Sequence, residues 1–259
     1  MLQLAILFVA GLGIGTLGTL IGAGGGWMIV PCLLFGLGFT PQRAVGTSLM
    51  VVFLNAFSGS IAYMIQGRIL YRMGVAFAVA TIPGAMIGAS LVQYIGSQWF
   101  IFLFAIFLLF LAVFLLKGRT ITGHSFRHPS QEELDSLSSP IMLTGMFISF
   151  LVGVISSLLG IGGGIVHVPF LIVILGMEVH AATATSHFVL AVTSLVGALI
   201  FLYGGHVDLP VAGVMGAGVL LGAQVGAVLS NRLPSDPIRK TLAFAVLIFA
   251  VGLIIRFLF

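Results

Sequence analysis

Ten runs of apolar residues, separated by short polar breaks, constrain the fold of this chain more than any other feature of its sequence. Most of them reach the length of about 20 residues that a helix needs to cross the hydrocarbon core of a bilayer. Only 6% of the residues are charged, whereas soluble domains carry roughly 25%. Water-soluble enzymes, disordered chains and nucleic-acid modules are thereby excluded, and an all-α polytopic membrane protein is predicted. The runs cover residues 2–21, 26–39, 44–66, 72–95, 98–116, 140–159, 164–177, 182–204, 209–230 and 237–258.

An internal repeat relates the two halves of the chain, because a shift of 138 residues aligns one half with the other. The motif Gly-x-Gly-Gly-Gly stands at 22–26 and again at 160–164, and each copy precedes a proline, Pro31 or Pro169. The prolines match as well as the glycines, so compositional bias does not account for the alignment. Further along, Ala44, Thr47 and Ser48 align with Ala182, Thr185 and Ser186.

A long polar stretch separates the two repeats and sets the predicted domain boundaries. We expect an N-terminal transmembrane repeat at 1–116, a polar linker at 117–139 and a C-terminal transmembrane repeat at 140–259. Since the chain starts without a basic segment, its first run is interpreted as a membrane helix and not as a cleaved signal peptide.

The number of crossings in each half decides how the halves are oriented in the membrane. Runs 26–39 and 164–177 are short, since about 14 helical residues span ~21 Å of the ~30 Å core. Five crossings per half place eight of the ten Lys and Arg residues on the linker side, whereas four crossings place six there. The positive-inside rule therefore favours five segments per half, inverted repeats and a cytoplasmic linker. The alternative, four spans plus one re-entrant segment per half, stays open.

The glycine motifs are the predicted centre of function. Consecutive glycines disfavour a continuous helix, so a helix is expected to break at Gly22 and Gly160 and to restart before Pro31 and Pro169. A restarting helix has unpaired N–H groups and a positive dipole end, which attract an anion. Two such ends near the midplane would form an anion site with little formal charge. The predicted substrate-binding residues are Gly24, Gly25, Gly26, Thr47, Ser48, Asn55, Gly162, Gly163, Gly164, Thr185 and Ser186.

The hydroxyl and amide side chains of that set each have two interpretations. The Thr-Ser pairs either line the site and bind an oxyanion or bond to a backbone carbonyl one turn earlier. Asn55 either lines the site or links two helices, and Thr193 is its repeat mate. By contrast, the glycine sets Gly84/Gly88 and Gly218/Gly222/Gly226 are interpreted as small residues that let helices pack closely.

Two histidines at membrane depth are candidates for proton coupling. His167 lies three residues after Gly164, and His187 directly follows Thr185 and Ser186. A histidine changes charge near neutral pH and can carry a proton with the substrate. The alternative is that each is a neutral, hydrogen-bonded side chain of the interior.

Several other patterns are set aside. Residues 13–18 fit Gly-x-Gly-x-x-Gly but lack the strand and the acidic residue of a dinucleotide site, so no cofactor is expected. His124 and His128 lie in the polar linker without further ligands, which argues against a metal site. No basic-aromatic pattern suggests a nucleic-acid partner. The expected partners are a small anionic substrate and the lipid bilayer, and the sequence sets no oligomeric state.

The repeated glycine motif, with its proline and the downstream Ala-x-x-Thr-Ser, resembles that of the TauE/SafE sulfite-exporter-like permease family. Residues 22–26, Pro31 and 44–48 carry the resemblance in the first half, and residues 160–164, Pro169 and 182–186 carry it in the second. The similarity covers nearly the whole chain. It implies transport of small sulfur-containing or organic anions such as sulfite, sulfoacetate or sulfonates, across a bacterial inner membrane.

These observations together predict a secondary transporter of a small anion that works by alternating access around a midplane site, and not an enzyme. No Walker motif is present, so the proton-motive force is the expected driving force. Two alternatives remain, an anion channel that uses the same donors and an intramembrane enzyme that uses Ser156 or Ser157 near His167.

Overall fold

The computed structural model describes residues 2–117, 139–230, 244 and 246–254, and all regular structure within them is helical. Most of the predicted linker, with His124 and His128, lies outside the described residues, as does part of the last apolar run. The helices are α1 (Leu2–Ile21), α2 (Gly26–Pro31), α3 (Pro41–Ile65), α4 (Tyr71–Leu91), α5 (Ser97–Lys117), α6 (Pro140–Leu159), α7 (Gly164–Val173), α8 (Val179–Tyr203) and α9 (Leu209–Leu229). A π-helical turn, Cys32–Gly36, extends α2, a 3-10 turn, Val92–Tyr94, follows α4, and residues 246–254 are also helical.

Six of these helices, α1, α3, α4, α6, α8 and α9, are long and apolar enough to cross a membrane. Two shorter apolar helices cover Gly26–Gly36 and Ser97–Val113. Large apolar side chains such as Val9, Phe110 and Tyr203 are exposed on the outside of the bundle. Exposed apolar side chains on helices of this length are typical of a lipid-facing surface, so the chain is a multi-pass membrane protein.

Polar residues at the breaks fix where the helices begin. The Ser139 hydroxyl accepts a hydrogen bond from the N–H of Met142, and the Asp208 carboxylate accepts one from Val211, so both side chains cap a helix start. A proline is one of the first two helical residues of α3, α6 and α9, where its missing N–H costs nothing.

Glycines bring α1 against α9 and α4 against α6. Gly11 lies against the backbone of Met215 and Gly15 against that of Val219, so residue numbers rise together and the two helices run parallel. Gly84 and Gly88 meet the backbone of α6 in the same way. The packing interpretation of these glycine sets is therefore confirmed, since a Cβ at any of these glycines would overlap backbone atoms of the facing helix.

The centre of the bundle is the pair of 25-residue helices α3 and α8. Gly46, early in α3, lies against Phe201, late in α8, and Gly59, late in α3, lies against His187, early in α8. Early residues of one helix thus meet late residues of the other, so the central pair is antiparallel.

Several contacts between the halves occur in equivalent pairs: a contact made by one half is also made by the residues that lie 138 positions away in the other half. The N–H of Asp208 donates to the Thr47 hydroxyl, and the N–H of Leu70 donates to the Thr185 hydroxyl, at 2.9 and 3.1 Å. Likewise, α1 packs on α9 and its repeat mate α6 packs on α4. Each of these contacts made by one half is thus repeated by the equivalent residues of the other half.

Candidate functional site

Both helices that lead into a glycine motif break where the sequence predicts. α1 ends at Ile21 and α2 begins at Gly26, while α6 ends at Leu159 and α7 begins at Gly164. In the first loop Gly22, Gly24 and Gly25 have φ values of 76°, 74° and 83°. Their mates in the second loop, Gly160, Gly162 and Gly163, have similar values of 71°, 79° and 83°. Side chains other than hydrogen rarely tolerate this left-handed backbone, which is why glycine occupies these positions.

The two loops meet at the centre of the molecule. Gly24 and Gly162 both lie against Val52 and Leu190, which are near the midpoints of α3 and α8. At Gly162 an added Cβ would lie 2.5 Å from Val52 Cγ1 and 2.5 Å from Leu190 Cδ1. The structure thus brings the two helix breaks together deep in the bundle.

Each restarting helix also touches the opposite loop. Gly26, the first residue of α2, lies against the carbonyl of Gly160, and Gly164, the first residue of α7, lies against the carbonyl of Gly22. The loops consequently cross in opposite directions, and all of the loop glycines are buried.

A buried hydrogen-bond network surrounds the first loop. The Asn55 amide donates to the carbonyl of Gly24 at 3.2 Å, and the Thr19 hydroxyl donates to Asn55 Oδ1 at 3.2 Å. Nε2 of His187 lies 3.3 Å from the same Thr19 hydroxyl, and the Tyr63 hydroxyl donates to the Thr19 carbonyl at 2.7 Å. Asn55 therefore links α3 to the first loop and to α1.

The Thr-Ser pairs make contacts that neither sequence interpretation describes. The Thr47 and Thr185 hydroxyls accept from backbone N–H groups at the starts of α9 and α4, across the boundary between the halves. The Ser48 hydroxyl donates to the carbonyl of Gly160 at 2.7 Å, whereas that of Ser186 has no partner within the described part of the chain. Three of these four hydroxyls thus hold the two halves together.

The two histidines occupy different surroundings. His167 Nε2 lies 3.0 Å from the Ser149 hydroxyl, and its ring packs against Phe77 and Phe170 with centroids 5.7 and 5.8 Å away. His187 instead joins the network of the first loop through Thr19. Both imidazole rings are buried.

Sequence reasoning missed Thr19 and its repeat mate Ser157 as neighbours of the glycine loops. A hydroxyl stands at both positions, five residues before Gly24 and five before Gly162, so the alignment of the repeats contains the signal. It also missed the ion pair between Arg43 and Asp208, which joins the start of α3 to the start of α9.

The chain is similar to known proteins over most of its length. The family model described as sulfite exporter TauE/SafE matches residues 7–254. The probable membrane transporter protein YunE of Bacillus subtilis is 30% identical over the full length of both chains. The probable membrane transporter protein MJ0441 of Methanocaldococcus jannaschii is 29% identical over 94% of this chain and 92% of its own. No solved structure gives a significant match.

Proposed function

The chain belongs to the sulfite exporter TauE/SafE family of membrane transporters, and from that premise we propose that it is a secondary transporter of a small anion in the bacterial inner membrane. The proposed substrate is sulfite or an organosulfonate. The observation that carries the proposal is the meeting of two broken helices at Val52 and Leu190, because discontinuous helices around a central site are a recurrent device of secondary transporters.

Backbone N–H groups of the two loops are the proposed anion ligands. Neither Gly25 and Gly26 nor their mates Gly163 and Gly164 donate to an acceptor among the described residues. Unpaired donors at a helix start, together with the positive end of the helix dipole, favour a negative ligand. The predicted break residues Pro31 and Pro169 lie within the restarted helices, Pro31 as the last residue of α2 and Pro169 inside α7, so the glycines alone form the breaks.

Inverted repeats of five segments are the architecture that we propose. α1 is parallel to α9, and a short connection at 204–208 joins α8 to α9, so α1 begins at the face where α8 ends. α3 begins at that same face, because Gly46 lies against Phe201. In this proposal α2 and its π-helical turn recross the membrane between α1 and α3. The antiparallel α3–α8 pair supports a twofold axis in the membrane plane.

The order in which the helices cross the membrane in this proposal also supports a cytoplasmic linker. Arg68, in the connection between α3 and α4, and Arg72, in the first turn of α4, lie at the face towards which α5 leads the chain. Arg43 lies at the opposite face, paired with Asp208. Basic residues concentrate in cytoplasmic loops, so the face of Arg68 and Arg72 is assigned to the cytoplasm.

His187 is the proposed proton carrier. Hydrogen bonds through the side chains of Thr19 and Asn55 connect its Nε2 to the carbonyl of Gly24. A change of charge on the ring would therefore be transmitted to the first loop. The imidazole ring of His167 has no such chain of bonds to a loop among the described residues, since its partner is Ser149, whose hydroxyl donates to the carbonyl of Gly145. We therefore assign coupling to His187 and a structural role to His167.

Flux measurements in proteoliposomes test the proposal. We expect the purified protein to move radiolabelled sulfite and to accumulate it against a gradient when a pH gradient is imposed. Taurine and sulfoacetate, tested in parallel, identify the substrate class. Flux that only equilibrates sulfite, whatever the pH gradient, would identify a channel, and absence of flux for all three solutes would refute the proposal.

A further inference from the structure

We propose that the oxygen-bearing head group of the anion binds at the second glycine loop, against the hydroxyls of Ser156 and Ser157 and the start of α7. This inference rests on the proposed transport function and names the subsite within it. The ligand is a compact oxyanion, sulfite itself or the sulfonate group of a larger substrate.

The side-chain donors of Thr19 and Asn55 beside the first loop are already engaged, whereas backbone N–H groups, such as those of Gly25 and Gly26, remain unpaired there among the described residues. The Asn55 amide and the Thr19 hydroxyl are engaged with each other, and Asn55 also holds the carbonyl of Gly24. The N–H of Gly24 donates to the carbonyl of Gly18 at 3.1 Å. Donors that already have protein acceptors gain little from an anion, because binding would have to break an existing hydrogen bond.

The second loop keeps its donors free. Ser157 is the repeat mate of Thr19, and Ser156 is the mate of Gly18. Both serine hydroxyls are fully buried and have no hydrogen-bond partner within the described residues. A buried hydroxyl without a partner costs free energy, so two adjacent ones indicate a place where a ligand supplies the missing acceptor.

The serine hydroxyls face the loop and the central helix. The Ser156 hydroxyl lies 3.1 Å from the position that a Cβ on Gly163 would take, and Gly163 is the N-cap of α7. The Ser157 hydroxyl lies 3.2 Å from the corresponding position on Gly197 of α8. A side chain at either glycine would therefore fill the space in front of a hydroxyl.

Backbone donors complete the subsite. In the second loop the N–H groups of Gly162, Gly163, Gly164 and Ile165 find no acceptor among the described residues. The mates Gly25 and Gly26 are unpaired as well, so the backbone difference between the loops is Gly24, the mate of Gly162, which is bonded. The ten residues of α7 give these groups a helix dipole directed at the loop. Gly162 itself is packed tightly against Val52 and Leu190, so the proposed ligand is limited to a compact head group.

Equilibrium binding of radiolabelled sulfite to the purified full-length protein tests the subsite. We expect Ser156→Ala and Ser157→Ala each to weaken binding by roughly 10-fold or more, the usual cost of one hydrogen bond to a charged group. Ser157→Thr should keep affinity within about threefold, because Thr19 shows that the fold accepts threonine at this repeat position.

Ser194→Ala is the matched control, because the Ser194 hydroxyl is buried but already donates to the carbonyl of Leu190 within its own helix. Its sulfite affinity should equal that of the wild type. Neither Ser156→Ala nor Ser157→Ala should lower the thermal unfolding temperature, since no protein hydrogen bond is lost. Sulfite binding that is intact in both alanine variants would overturn the subsite and leave the transport function standing. A wild-type protein that binds neither sulfite nor sulfoacetate would overturn both.

Discussion

The two glycine loops have nearly the same backbone and different neighbours. The φ angle is 83° at both Gly25 and Gly163, the residues just before α2 and α7, so the two helices start from the same backbone turn. The first loop is held by Asn55, whereas its mate Thr193 donates to Thr81 and to the carbonyl of Val189, away from the loop. The nearly equal backbones are therefore shared by both halves, whereas the side chains around them differ, which is the basis of the proposed division of roles between the loops.

The two ends of the α3–α8 pair differ in the same manner. At one end Thr47 accepts from Asp208, whose carboxylate also pairs with Arg43. At the other end Thr185 accepts from Leu70, which carries no charge. In the proposed alternating-access mechanism both ends would open in turn, and the unequal contacts at the two ends would then bias one direction over the other.

The largest effect is expected from removing the shared backbone feature. Gly24→Ala and Gly162→Ala place a Cβ against Val52 and Leu190 at residues with positive φ, which strains both the turn and the packing. We expect each variant to lose sulfite flux by at least about 10-fold, which corresponds to a change of ~1.4 kcal/mol.

Gly213→Ala is the control for that pair, because no atom lies within 4 Å of the Cβ it would add and its backbone is helical. Its flux should match the wild type. If only one of the two loop variants lost flux, the loops would not be equivalent structural elements and the twofold relation would need revision.

A second test concerns the two buried histidines of the second half, neither of which has a histidine as its repeat mate. His187→Leu introduces the residue found at its repeat mate Leu49, which already packs against the equivalent glycine, Gly197. We expect the variant to fold, to exchange sulfite across the membrane and to lose at least about three-quarters of the accumulation driven by a pH gradient, because the proton-binding side chain is gone. The measurement is uptake with and without the gradient.

His167→Ile, which copies the repeat mate Ile29, is the companion variant and should retain gradient-driven accumulation. The other titratable or charged groups near His187 are Tyr63, with ring centroids 5.8 Å apart, and Arg68, whose guanidinium lies over the Tyr63 ring. Loss of coupling in His167→Ile with full coupling in His187→Leu would reverse the assignment.

Much of the fold could be predicted because it depends on local signals. The breaks at 22–25 and 160–163 follow from consecutive glycines, whose backbone preference needs no partner. The apolar pattern places the start of α3 at residue 44, whereas the helix begins at Pro41, since apolar runs do not register a polar first turn that contains Arg43. The helix in the short run 26–39 is shorter than the apolar run predicts. α2 ends at Pro31, which has no N–H to donate, and a π-helical turn follows it directly.

The polar partners within the site could not be predicted in the same way. Thr47 bonds to a residue 161 positions away, and Ser48 to one 112 positions away. A hydroxyl accepts or donates equally well in its own helix or across an interface, so only the packing of the two halves selects the partner. The contrast between Asn55 and Thr193 is likewise invisible in the sequence, because it depends on which way each side chain turns.

A third test compares the mates Asn55 and Thr193. Asn55→Ala leaves the carbonyl of Gly24 and the hydroxyl of Thr19 without their partner in the protein interior, so we expect a loss of about 2 kcal/mol or more in the free energy of unfolding. Thr193→Val removes one hydroxyl, which is shared between Thr81 and the carbonyl of Val189 in its own helix. Because Thr81 still donates to the carbonyl of Ala78, the loss should be about 1 kcal/mol or less. Equal losses, measured by unfolding in detergent micelles, would mean that the first loop does not depend on Asn55.

The smallest effect is expected at the ion pair. Arg43 is half-exposed, so Arg43→Gln and Asp208→Asn should each lower the free energy of unfolding by about 1 kcal/mol at most, and the double variant should lose no more than either single one. High salt should reduce the difference from the wild type, because Arg43 is half-exposed and the pair is therefore partly screened. Asp208→Leu, which copies the other end of the bundle, also deletes the cap on Val211 and should cost about 1 kcal/mol beyond Asp208→Asn, independently of salt. If the whole cost of Asp208→Leu disappeared in high salt, the carboxylate would act as a charge alone, and the two ends of the α3–α8 pair would differ only in electrostatics.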